Sequence, residues 1–238
     1  MDKYSTYAER QPQQAIAALK ARKRSVLSYV EWKTVPWRHQ RKSPKDLLID
    51  ILVDIPSLLE DVDIMQACKD ANSKEEQRQR LLGRCYLFDR RLAEWYSSQW
   101  PDGTSPPSYR PNTPLGEVCS LKLEDLSSAH LMTLYWSTCL ALYITMPLVL
   151  GAGDALPEHA DPRIYILKIT DTLPLLLHRD VGVFRLHLAT FPMGVVYKCL
   201  QAMAPDEMVE QRIILAKLFE QPESVTMSKF ISSMESNA

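Results

Sequence analysis

The chain has 238 residues and a formal net charge of −1, from 28 basic and 29 acidic side chains. Such a balance creates no overall field to hold a polyanion, so neither direct nucleic-acid binding nor attachment to an anionic membrane is expected. The length suits one helical domain over residues 1–238, large enough to bury roughly 70% of the surface that the unfolded chain would expose.

Taken in order, Pro12 can open a helix reaching about Tyr29, with Ile16, Leu19, Val26, Leu27 and Val30 as an uneven apolar stripe. The opposite face carries Lys20, Arg22, Lys23 and Arg24, a cluster that suits a solvated face, a nuclear-import signal or a phosphate patch. In Glu31–Lys42, Trp32 and Trp37 around Pro36 predict a buried, aromatic-pinned turn. Ser43, Pro44 and Asp46 then form a strong helix start, followed by Leu47, Leu48, Ile51, Leu52 and Ile55 at helical spacing, with Pro56 read as a stop. A further helix leads to a polar break at Asn72–Lys74. From Glu75 to Gln99, Leu81, Cys85, Phe88, Leu92 and Trp95 recur in steps of four and three, the pattern of a helix packed along its length.

Residues 100–122 hold five prolines and predict an irregular loop or lid. The stretch Glu124–Leu150 follows, with no charged side chain between His130 and Asp154. It is long enough to span a bilayer, yet Tyr135, Trp136 and Tyr143 lie inside it and its flanks are acidic, so a buried central helix is the expected reading. Helices after Asp161, over Val181–Met203, after Asp206 and over Val225–Met234 complete an all-α chain, a bundle-like fold around that central rod.

No phosphate-binding glycine loop, nucleophile elbow or zinc-ligand spacing occurs, and no cofactor or metal is expected. Five dispersed cysteines without a C-x-x-C pair read as buried free thiols in a reducing compartment. The N-terminus has no apolar signal region, which predicts a nuclear or cytoplasmic location. Two aromatic clusters could line a pocket between helices, or could be ordinary core. One is Tyr135, Trp136, Cys139 and Tyr143; the other is His178, Arg179, Phe184 and Phe191. With Trp95 added, these residues supply the candidate ligand pocket, and Tyr135, Tyr143, His178 and Arg179 are the candidate catalytic donors.

In order along the chain, EWKTVPW (31–37), DLLIDILVDIPSLLEDVD (46–63), LFDRRLAEWYSSQ (87–99), LYWSTCLALY (134–143), DPRIY (161–165) and TFPMGVVYKCL (190–200) resemble the C-terminal helical domain of fungal zinc-cluster transcription factors. The family's DNA-reading module needs six closely packed cysteines to hold two zinc ions. The five dispersed cysteines here cannot form it, so neither DNA binding nor zinc carries over.

The resemblance implies a regulatory domain that binds a small apolar metabolite or a partner protein, in the nucleus or cytoplasm. Two alternatives use the same scaffold. One is an enzyme of fungal secondary metabolism catalysing a cyclisation or pericyclic step, which needs mainly a shaped apolar pocket. The other is a truncated repressor acting as a homo- or heterodimer.

Overall fold

A computed structural model describes residues 14–100, 123–151, 154–178, 181–182 and 185–219. Among these residues every regular element is helical and no strand occurs. The proline-rich stretch 101–122, the final predicted helix, Arg179 and Phe184 lie outside the described residues. Contacts divide the chain into two units, one of residues 1–101 and 142–156, the other of residues 102–141 and 157–238.

The first unit begins with α1, described over residues 14–21. The helix does not continue to Tyr29 as its stripe predicts. Arg22 turns to φ 49°, its N–H donates to Leu19 O at 3.2 Å, and Lys23 N–H closes on Ala18 O at 3.1 Å. This is a Schellman turn with arginine where glycine is usual. A 3-10 turn at Val26–Ser28 follows, then α2 (Val30–Thr34) and a second 3-10 turn at Val35–Trp37. Neither α2 nor that second turn has a buried residue. The tryptophan turn is therefore not the buried one its composition predicts.

The helix α3 (Pro44–Leu52) starts as its sequence predicts. Ser43 Oγ accepts the Asp46 N–H at 3.3 Å, and the Asp46 carboxylate accepts the Ser43 N–H at 2.9 Å, satisfying two of the donors that a helix start leaves open. Pro56 does not stop the apolar run; it sits in the first turn of α4 (Ile55–Ala67), where a missing N–H costs nothing. The long helix α5 (Ala71–Gln99) begins at Asp70, whose carboxylate accepts the Ser73 N–H at 2.7 Å. The polar break thus falls before Ala71, and Asn72–Lys74 are helical. Along α5, Leu81, Cys85, Phe88, Leu92 and Trp95 are all buried. The helix packs on α3 and α4, and Leu48, Leu52, Ile55, Leu58 and Val62 complete this core.

The predicted rod is α6 (Leu123–Tyr143), followed after a turn by a 3-10 segment at Met146–Leu148 that holds Pro147 in its first turn. Its residues to Ala141 belong to the second unit, and Leu142 onward to the first. The segment Leu126–Leu148 is apolar enough for a membrane span, with mean hydropathy 1.3, but 67% of it is buried within the protein. Burial of that kind marks a core helix. In the second unit, α7 (Pro162–Leu176), α8 (Arg185–Ala202) and α9 (Val209–Phe219) pack against one another around Ile166, Ile169, Leu173, Met193, Val196 and Leu215. Both α7 and α8 continue through an internal proline, Pro174 and Pro192. From α9, the Arg212 guanidinium donates to the carbonyl of Leu200, an acceptor that the end of α8 leaves open, and to those of Ala204 and Glu207 in the connection between the helices.

Candidate functional site

In the first unit, the acidic side chains of α3 and α4 collect cations from distant parts of the sequence. The Asp54 carboxylate accepts from Lys33 Nζ at 2.5 Å and from Arg91 Nη1 at 3.0 Å, and Lys33 also donates to Asp50 O at 3.0 Å. Lys42 pairs with the Asp50 carboxylate. Arg84 bridges Asp61 and Ser57 Oγ. Arg22 grips Asp63 through two donors at 2.6 and 2.8 Å, which holds that carboxyl below its usual range. Glu60 is also held down, first by the Arg24 backbone N–H and then by Lys23. Two members of the basic cluster at residues 20–24 are thus paired with α4, Arg22 with Asp63 and Lys23 with Glu60, although Lys23 stays largely exposed.

The candidate pocket residues divide between the units. Trp95 and Tyr143 belong to the first; Tyr135, Trp136, Cys139, His178 and Phe191 belong to the second. Tyr143 is 2% exposed, and its hydroxyl donates to Asp89 Oδ1 at 2.6 Å. Trp95 is buried, with its indole N–H donating to Pro44 O at 2.9 Å. In the second unit Cys139 and Phe191 are buried. Tyr135 and Trp136 are half-buried, with the Lys168 ammonium 5.8 Å from the Trp136 ring centre. His178 is half-buried just beyond the end of α7.

Polar groups along α6 are likewise turned inward on the protein. Thr133, Ser137 and Thr138 each donate to the carbonyl four residues earlier, at 2.7 to 2.8 Å. Among the described residues no buried side-chain nitrogen or oxygen lacks a hydrogen-bond partner. A groove of about 370 Å³ lies along α4 and α5. Its charges are matched in pairs, Arg84 with Asp61 and Arg80 with Glu76, over Ile64 and Leu81. None of the candidate pocket residues lines it.

Comparison with protein-family models, curated proteins and solved structures gives no match.

What the sequence reading missed is a surface. Val26, Tyr29, Val30, Val35 and Leu47 are exposed in the first unit, at 39 to 69%. Two of them, Val26 and Val30, belong to the uneven stripe; only Leu27 between them is buried. Uneven spacing was the available signal, since a stripe that slips around the helix cannot face one core. The segment is held down by Leu27 and by Lys33, whose aliphatic stem carries its ammonium to Asp50 and Asp54.

Proposed function

We propose that this chain is a helical regulatory or interaction domain of the zinc-cluster-factor kind, working in the nucleus or cytoplasm by holding a partner protein. The observation that carries this reading is the exposed apolar surface of residues 26–47 on an otherwise well-packed unit. Contiguous exposed apolar side chains on a soluble fold mark interaction sites. Protein binding is preferred to chemistry because the candidate donor Tyr143 and the candidate pocket residue Trp95 already spend their polar hydrogens on structural hydrogen bonds. A shaped catalytic pocket needs donors aimed at a substrate.

The test joins the full chain to a heterologous DNA-binding module and measures a reporter in fungal cells, alongside incubation of the purified chain with extracts from cells lacking it. A reporter output that departs from that of the module alone, with every metabolite left intact, is the expected result. Consumption of a metabolite without any effect on the reporter would replace this reading with the enzyme one.

A further inference from the structure

We infer that the surface built from residues 26–47 docks an acidic amphipathic segment of a partner protein, an inference that rests on the interaction-domain reading and names the chemistry of its partner. Three observations converge on it. The first is apolar: Val30 is 69% exposed, Val26 55% and Tyr29 52%, and α2 between its two 3-10 turns has no buried side chain. Lys33 ties α2 to Asp50 and Asp54 of the α3–α4 corner; Leu47, one turn before Asp50, extends the exposed surface along that side of α3.

The second observation is the sign of the rim. Arg24, Arg38 and Arg41 are exposed and form no ion pair among the described residues. Glu31 is the only acidic residue in the sequence between Lys20 and Asp46. The carboxylates that could neutralise this rim, Asp50, Asp54, Glu60 and Asp63, are occupied by Lys42, Lys33, Lys23 and Arg22. A chain of net charge −1 therefore shows a local excess of positive charge beside exposed valines. Carboxylates complement that rim, and the valines require an apolar counterpart.

The third is size. A 3-10 turn, five helical residues and another 3-10 turn offer room for one helix or extended segment, not for a broad globular face. An anionic bilayer is the weaker match, because in-plane membrane helices present long apolar faces, and α2 is a single short turn whose exposed apolar residues are Val30 and Trp32 alone.

Fluorescence anisotropy on the full chain tests this with three labelled synthetic peptides: an amphipathic helix of Glu, Leu and Phe, its scramble without the apolar stripe, and its Lys-substituted counterpart. The acidic helix is expected to bind at micromolar concentrations, about tenfold tighter than either control, and to weaken with salt. Val30→Ser and the pair Arg38→Glu with Arg41→Glu are each expected to cut affinity about tenfold without changing the far-UV spectrum or the urea midpoint. Equal binding of all three peptides overturns the proposal. So does preferential binding to phosphatidylserine vesicles that Val30→Ser abolishes, which makes a bilayer the occupant, or concentration-dependent self-association that the same change abolishes, which makes it a second copy. The same variants in the reporter fusion separate the two levels. Output that persists unchanged in the variants removes this surface and leaves the interaction-domain reading standing; a fusion with no output removes that reading, whatever the peptides do.

Discussion

Tyr143, the last residue of α6, donates its phenolic hydrogen to Asp89 Oδ1 on α5 at 2.6 Å, although the two residues are 54 positions apart. The phenol is 2% exposed and Asp89 is half-buried, so the bond is largely shielded from water. This gives the hydroxyl a structural purpose and explains a tyrosine, not a phenylalanine, at that point.

Tyr143→Phe is accordingly expected to lower the unfolding free energy by about 2 kcal/mol, the scale for losing one partner of a bond to a charged group. Urea denaturation followed by circular dichroism measures it. A loss below about 0.5 kcal/mol would mean that the bond contributes little to the fold.

Asp54 joins two cations that come from 21 positions before it and 37 after it. All three side chains are mostly buried, at 18% for Lys33 and Asp54 and 33% for Arg91. Asp54→Ala leaves two like charges facing each other and is expected to cost about 3 kcal/mol, more than Lys33→Met or Arg91→Met alone. Combining Asp54→Ala with Arg91→Met should cost less than the sum by about 1 kcal/mol. Additive losses in that double-mutant cycle would show that the pair is not coupled.

The thiols of Cys85 and Cys199 are pushed up to about 12 by burial, and Cys139 has no exposed surface. Only thiolates react readily with alkylating agents. In a Cys119→Ser background, iodoacetamide is expected to label the half-buried Cys68 in the native protein, and the other three only after urea. Mass spectrometry of the tryptic peptides reads the order, and early labelling of Cys85 would contradict the packing of α5.

Two carboxylates respond to pH with opposite signs. Asp171 is raised, first by burial and second by Glu210, so its ionised form is the unfavourable one in the folded chain. Its stabilising contribution is complete below its ordinary value of 3.8 and is lost as pH rises through the folded value. Asp63 is lowered by Arg22, so its contribution is present above 3.8 and is lost as pH falls through the folded value. At neutral pH, Asp171→Asn is expected to raise the thermal midpoint slightly and Asp63→Asn to lower it, by less than about 1 kcal/mol at a half-exposed pair. Both differences should vanish in acid, and melts of the two variants across the carboxylate range show whether they do.

Where local chemistry decides an element, the sequence was readable. Ser43, Pro44 and Asp46 are adjacent and define the start of α3; the five apolar residues of α5 keep one register through its length and are all buried. Boundaries set by less usual chemistry were not readable. Arg22 ends α1 in a left-handed conformation that no glycine announces, and Pro56 opens a helix where its position in an apolar run reads as an end. The candidate pocket set mixed two kinds of residue that composition cannot separate. Trp95 and Tyr143 use their polar atoms inside the fold, and their acceptors, Pro44 and Asp89, lie 51 and 54 positions away. No local pattern specifies a partner at that distance. The exposed surface at residues 26–47 was marked only by the uneven spacing of Val26 and Val30, since an isolated apolar residue looks the same in sequence whether it faces core or water.

Apart from Lys33, α2 contributes no side chain that its neighbours depend on, which makes its exposed apolar positions replaceable. A substitution at Leu92 or Ile55 must be accommodated by the packing around it, whereas Val30 and Val35 can change without disturbing the scaffold that carries them. The scaffold's stability therefore does not depend on the apolar side chains that α2 exposes, and these positions can be varied while the packed helices stay fixed.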